Sequence, residues 1–304
     1  MSERVYGAIE AGGSKFVCAA GHGATEFIES HHVSIPTTTP AATLAAVVAF
    51  FARVQYELGP LAAIGIAAFG PVDLNRSSPG WGCLLETPKA GWSSTSLTLP
   101  LKRFGCPIVI DTDVNAAALA ERELGAGADS DVLVYVTVGS GIGGGVVIGR
   151  RTVRGLLHPE MGHIRVQRDP RDQAFEGICP FHRDCLEGLA CGPAIMKRWN
   201  APVNAWPVDH PGLEIIGGYL GQLAASIALL VSAERILMGG GAMNDGRLLP
   251  YVRAAARTFL NGYLPIEARE GGFDRFISAP ALGARAGIVG AMLLAARSTR
   301  DRMR

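Results

Sequence analysis

The spacing of apolar residues along the chain changes in a way that marks out its elements. In the first third, VYGAIEA, KFVCAAG and TEFIESHHV predict three strands, the first two joined by a turn at Ala11, Gly12, Gly13 and Ser14. After the Pro/Thr stretch PTTTP, the run AATLAAVVAFFARVQYEL has helical periodicity and ends before Gly59-Pro60. LAAIGIAAFG and CPIVIDTD are short, nearly continuous apolar runs, the pattern of strands covered on both faces of a parallel sheet. VNAAALAERELGAG follows as a helix with a glycine stop. Residues 75–100, rich in Ser, Pro, Gly and Trp, read as an ordered loop.

The pattern then restarts. DVLVYVTVGSGIGGGVVIG is again strand, glycine turn, strand, and it resembles AIEAGGSKFVCAAG near the N-terminus. Residues 151–190 are irregular and polar. Helices are predicted near 192–199, over 213–232, near 246–260 and over 282–297, with a short strand at RILMGGG. Strands alternating with helices make this an α/β chain. Two similar openings suggest a duplicated, two-lobed architecture that takes its ligand between the lobes. The expected division is 1–112, completed by the C-terminal helix at about 285–304, and 113–284, with a metal loop at 158–188.

Composition narrows the function classes. Of 304 residues, 48% are hydrophobic and 18% charged, and the formal net charge of +1 comes with no long Lys/Arg run, which argues against a nucleic-acid partner. No uninterrupted apolar stretch, Leu61 to Phe69 among them, is long enough to span a bilayer, and the first residues lack a hydrophobic signal core. A cytoplasmic protein with no membrane partner is therefore expected. Cys18, Cys83 and Cys106 read as small core residues.

GSGIGG (139–144) matches the dinucleotide fingerprint G-x-G-x-x-G only formally, because a strand and not a helix follows it. No P-loop motif is present. What remains is a glycine-rich hairpin turn with hydroxyls at Thr137 and Ser140, whose backbone N–H groups could surround an anion. Gly12, Gly13, Ser14 and Lys15 offer the same at the first turn, after Glu10. Each turn could equally be an ordinary hairpin; as a pair they would form a two-sided phosphate clamp with Gly139, Ser140 and Gly141. Gly239, Gly240 and Gly241 end the strand RILMGGG, under a nucleotide or as a plain turn.

Asp113 stands where a buried strand meets a helix, the place for an N-cap or for a general base. Asp111 and Glu121 read as structural or solvated, and Asn115 as ordering the turn. CPFHRDCLEG (179–188) supplies Cys179, His182 and Cys185, and His163 could complete a Cys₂His₂ set, with His158 as its rival and Cys191 a weaker one. Thiolate and imidazole ligands favour Zn²⁺, and four protein ligands make the site structural. Glu160 and Glu187 lie beside these ligands. Trp81 and Trp92 could stack on a sugar, or cap the core or a dimer contact.

EAGGSK, TDVNAAALAE, TVGSGIGGG, HPEMGH, CPFHRDCLEG and LMGGG occur in the order found in the ROK-family sugar kinases, and the chain most resembles the bacterial fructokinase branch, whose first turn begins with Glu. The resemblance implies a two-lobed sugar kinase–actin (ribonuclease H-like) fold, with ATP and sugar in a cleft, Mg²⁺ on the phosphates and a homodimer. It implies Asp113 as base, the two glycine turns and Gly239–Gly241 on ATP, and Thr112, Glu160, His163 and Glu187 around the sugar. Two departures stand out. Many family glucokinases carry Asn-Asp where this chain has Thr112-Asp113, and His182 replaces a cysteine of the common metal motif. The expected activity is ATP-dependent phosphorylation of a hexose, first of all fructose to fructose 6-phosphate, with a mannokinase, a glucokinase or a broad hexose kinase as the alternative and a non-catalytic sugar sensor as a further one.

Overall fold

The computed structural model describes residues 4–300. The chain begins with β1 (Val5–Ala11), β2 (Lys15–Gly23), β3 (Glu26–Pro36), α1 (Pro40–Leu58), β4 (Leu61–Ala68), β5 (Ile108–Thr112) and α2 (Asp113–Leu124). It continues with β6 (Val132–Val138), β7 (Ile142–Ile148), β8 (Arg151–Thr152), α3 (Leu186–Ala190), α4 (Gly192–Trp199) and α5 (Pro211–Val231). The last elements are β9 (Arg235–Gly239), α6 (Leu249–Leu260), α7 (Gly272–Phe276), β10 (Ile277–Ser278) and α8 (Ala286–Arg300). Residues 4–120, 152–158 and 284–300 form one compact unit, and 121–151 with 159–283 form a second.

The first sheet has the order β3-β2-β1-β4-β5, with β1, β2 and β3 antiparallel and β1, β4 and β5 parallel. The second has the order β8-β7-β6-β9-β10, with β6 antiparallel to β7 and parallel to β9, and β10 parallel to β9. The two sheets thus share one strand order, that of the ribonuclease H-like fold. The repeated strand–turn–strand pattern in the sequence is its trace.

Side-chain size sorts the two faces of the first sheet. On β1 and β4, Ile9, Ile64 and Ile66 join Phe50, Phe51 and Val54 of α1 in one core. Ala8, Ala63 and Ala67 face the other way, against Ile288, Ala291, Met292 and Ala295 of α8. The small face is required: a Cβ on Gly65 would lie 1.9 Å from the Ala291 carbonyl, and one on Gly290 would lie 2.1 Å from that of Ala116. Close approach of α8 to β4 and α2 is how the C-terminal helix joins the first unit.

In the second unit α5 runs through the core, with Gly217 against Tyr251 and Gly221 against Ala255 of α6. By length and composition α1 and α5 could each cross a membrane, a feature that the uninterrupted run at 61–69 does not reveal; 61% of the apolar stretch of α5 is buried within the fold, as in a core helix. Trp92 is fully buried, donates to the Thr38 carbonyl at 2.9 Å and packs on Phe16 and Phe69, so it is a core residue.

Candidate active site

In the first unit, β1 and β5 deliver acids at their carboxyl ends. Asp111 is fully buried and accepts from Asn115 Nδ2 (2.8 Å), Thr152 Oγ1 (2.7 Å), Arg154 Nη2 (2.8 Å) and the Thr112 N–H (2.9 Å). A buried carboxylate with four donors is structural, as expected, and it fixes the start of α2. Thr112, expected at the sugar, is only 2% exposed, and its hydroxyl accepts the Asn115 N–H at 3.1 Å. Thr112 is therefore the N-cap of α2, and Asp113 is the first helical residue.

Asp113 is half-buried, and its Oδ1 accepts the Val114 N–H at 2.8 Å. Burial pushes its carboxyl up to about 6, against the pull of the adjacent backbone N–H groups. Glu10 is pushed up to about 7, first by burial and then by the negative charge of Asp113, while Lys15 pulls it down. A Cβ on Gly287, near the start of α8, would lie 2.3 Å from Glu10 Oε1. The turn after β1 is tight, with the Gly12 N–H on the Lys15 carbonyl at 3.0 Å and Thr37 Oγ1 donating to the Gly12 carbonyl at 2.7 Å. Gly13, Ser14 and Lys15 are exposed, and the space where Gly13 would carry a Cβ is open.

In the second unit the candidate metal loop is a knuckle. Cys179 and Arg183 exchange backbone hydrogen bonds at 3.1 and 2.9 Å, and the Leu186 N–H reaches the Ile164 carbonyl at 2.9 Å. These turns gather Cys179, His182, Cys185 and His163 so that their ligand atoms all lie within 4.8 Å of one another. His163 Nδ1 is 3.4 Å from Cys185 Sγ and 3.8 Å from Cys179 Sγ, and His182 Nδ1 is 3.7 Å from Cys179 Sγ. A tetrahedral Zn²⁺ with bonds of about 2.1–2.3 Å holds its ligands roughly 3.4–3.8 Å apart, so the donor set fits the ion in type and spacing. Without a cation, burial pushes the Cys185 thiol up to about 11, with Cys179 and Glu187 adding to the rise and a backbone N–H opposing it.

The two rival ligands lie elsewhere. His158 belongs to the first unit, where it is buried and its Nε2 accepts the Val72 N–H at 3.2 Å. Cys191 is buried at the N-cap of α4 and is not among the four gathered residues. His163 turns its other nitrogen, Nε2, toward Glu160 Oε2 at 3.8 Å, so one imidazole faces the ligand cluster and an exposed carboxylate. Glu187, in the first turn of α3, places Oε2 2.8 Å from the Ile142 N–H at the glycine turn.

The glycines divide by what they touch. A Cβ on Gly144 would collide with Met161 of HPEMGH at 2.1 Å, so this glycine serves packing of the metal loop on β7. Gly240 has a φ of +92°, and a Cβ there would lie 2.5 Å from the Val138 carbonyl and 2.6 Å from Thr137 Oγ1. Gly239 packs on Tyr135 and Pro280. Gly139 and Gly241 have open space where a Cβ would be, and Ser140 is exposed. A separate cavity of about 530 Å³ in the second unit is lined by Asp129, Arg235 and Arg275 among others, and none of the expected site residues borders it.

Arg154 and Thr152, which hold Asp111, and the amide of Ile142 were not legible as site components, because each meets its partner across 40 or more positions of chain.

The ROK family profile matches residues 6–298. The chain belongs to the ROK family. It is 44% identical over 299 residues to the fructokinase of Zymomonas mobilis, covering 96% of this chain and 97% of that one. It is 40% identical over 290 residues to a fructokinase of Pediococcus pentosaceus, covering 95% and 96%. Among solved structures, a ROK family glucokinase from Streptomyces griseus in complex with glucose and AMPPNP superposes with a TM-score of 0.74 at 26% identity, covering 96% of this ROK protein and 99% of the glucokinase.

Proposed function

We propose that this ROK protein transfers the γ-phosphoryl group of MgATP to a hexose, with fructose as the preferred acceptor and fructose 6-phosphate as the product. The carrying observation is Asp113, a half-buried carboxyl at a strand–helix junction whose capping duty is taken by Thr112 and whose burial raises it to about 6. A base poised near neutral pH suits proton removal from a sugar hydroxyl. Identity to two fructokinases at 40% and 44% supports fructose as the acceptor.

In this reading Asp113 accepts the hydroxyl proton as the sugar oxygen forms its bond to the γ-phosphorus. The bridging bond to the β-phosphate breaks, and ADP leaves. The first unit would contribute Asp113 and the turn Gly12–Lys15. The second would contribute Thr137, the turns Gly139–Gly141 and Gly239–Gly241 for phosphate and nucleotide, and Glu160, His163 and Glu187 for sugar hydroxyls. Of the glycine triplet, Gly241 offers the open face and Gly239 with Gly240 support it. Zn²⁺ on His163, Cys179, His182 and Cys185 would supply a rigid closed tetrahedron, with no open position for chemistry. That rigidity would hold Glu160 and Glu187 for the sugar.

A cytoplasmic homodimer belongs to the same proposal, and sedimentation of the purified protein tests the oligomer. The decisive assay compares kcat/KM for fructose, mannose, glucose and N-acylated hexoses on protein of measured zinc content. Near-equal values for fructose and glucose would refute the narrower assignment, and no ATP consumption with any hexose would refute the kinase.

A further inference from the structure

Helix α3 carries the metal ligand Cys185 at its N-cap and Glu187 in its first turn. Two hydrogen bonds tie this segment to the glycine turn between β6 and β7. Glu187 Oε2 accepts the Ile142 N–H at 2.8 Å, and the Gly192 N–H, just past α3, donates to the Gly139 carbonyl at 2.7 Å. The carboxylate lies so close over the turn that a Cβ on Gly141 would come within 2.6 Å of it. Gly192 is packed as tightly, with 2.9 Å between its own would-be Cβ and the Gly139 oxygen. Among the described residues, Glu187 Oε1 has no hydrogen-bond partner, although the side chain is half-buried.

We propose that Glu187 is a positioning residue for the phosphate turn as well as a sugar acceptor: Oε2 holds the turn through Ile142, and Oε1 is left for a sugar hydroxyl. Both halves rest on the sugar-kinase reading, the turn as a phosphate site and Oε1 as a sugar acceptor. The physical reason is that a glycine-rich turn has many accessible backbone states, so its N–H groups line up on a phosphate only when something outside the turn restrains it. Glu187 supplies that restraint from the metal loop. A charge-assisted hydrogen bond to a backbone N–H is short and strong, and one carboxylate can accept on both oxygens at once. Sugar and nucleotide binding are then coupled through a single side chain, and a Zn²⁺ held by Cys185 and its three neighbours would bear on both by fixing the start of α3.

The test uses the intact, metal-loaded protein and three variants. Glu187→Ala removes both acceptors, Glu187→Asp keeps the charge but withdraws it by one methylene, and Glu187→Gln keeps an oxygen for Ile142 while losing the charge. Calorimetric affinity for the magnesium complex of AMPPNP, a non-hydrolysable ATP analogue, is measured without sugar, alongside zinc content and hydrogen exchange of the Ile142 amide. The Ala and Asp variants are expected to bind the analogue roughly tenfold more weakly and to exchange the Ile142 amide roughly tenfold faster, the scale of one charge-assisted hydrogen bond, with zinc retained. The Gln variant keeps a neutral hydrogen bond to Ile142, so its nucleotide affinity and amide protection should fall between those of wild type and the Ala variant while its sugar KM rises.

Wild-type analogue affinity and amide protection in the zinc-loaded Ala or Asp variant, with only the sugar KM raised, would overturn the proposal. If the Ala protein does not fold, the Asp and Gln pair decides by the same readouts. If the wild type phosphorylates no hexose yet the analogue pattern holds, the sugar-kinase reading fails and the restraint on the turn stands.

Discussion

The hydroxyl of Thr112 accepts the backbone N–H of Asn115 at 3.1 Å, and so the residue beside the proposed base, not the base itself, caps helix α2. Among the described residues Asp113 is left with hydrogen bonds only from backbone N–H groups next to it, Val114 at 2.8 Å and its own. The division of labour matters because a carboxylate spent on a cap is a poor proton acceptor. Asp113→Asn should keep the fold and the zinc while lowering kcat by about 10²–10⁴, the usual contribution of a positioned general base. Because burial raises the Asp113 carboxyl to about 6, wild-type kcat/KM should fall tenfold per pH unit below that value and level off above it. A pH–rate profile checks both points, and a flat profile through pH 5 would remove Asp113 from the role.

Thr112→Ala should cost about 1 kcal/mol of stability, the typical worth of an N-cap. Thr112→Ser should restore most of it. Denaturant midpoints measure the effect, and the sugar KM of the serine variant separates capping from a direct sugar contact.

Glu10 makes a prediction of the opposite kind. Its folded-state carboxyl is raised from 4.5 to about 7 by burial and by the charge of Asp113, so the folded protein holds this proton more tightly than the unfolded chain does. Stability from this group is present below about pH 4.5 and is lost as pH rises toward 7. Glu10→Gln should therefore raise Tm relative to wild type at about pH 8, where the wild-type group is ionised, and leave it unchanged near pH 4. A gain that is the same at both pH values would contradict the assigned cause.

Removing the metal by a chelator, or replacing Cys179 with Ser, should disorder the segment 163–188 and raise the sugar KM. The base, on the other unit, keeps its hydrogen bonds, so residual turnover at saturating sugar should remain. Elemental analysis should find one zinc per chain before treatment and none after.

Gly240→Ala and Gly241→Ala should part company. At Gly240 the backbone is left-handed and a Cβ meets the Val138 carbonyl at 2.5 Å, so alanine should cost about 1–3 kcal/mol. At Gly241 the space is open, so stability should change by less than about 0.5 kcal/mol while the KM for ATP rises. Thermal unfolding and ATP titrations distinguish the two.

What the sequence determined by itself is what local chemistry controls. Element identity followed from the pattern of apolar residues, as in LAAIGIAA, a continuous apolar run that the structure covers with α1 on one face and α8 on the other. The cluster of candidate ligands was legible because Cys179, His182 and Cys185 are near neighbours whose chemistry has few other uses. The strands missed, β8 and β10, are two residues each, too short to carry any period. Only the tertiary structure brought His163, and not His158, to the other three donors, because the second imidazole is buried on the Val72 N–H. It likewise decided that Thr112 caps, that Arg154 and Thr152 hold Asp111, and that Glu187 grips the amide of Ile142. The Thr112 cap competed with an equally good candidate next door in Asp113. The other contacts join residues far apart in the chain, and two of them end on backbone N–H groups, which every residue but proline carries and which leave no mark in a sequence.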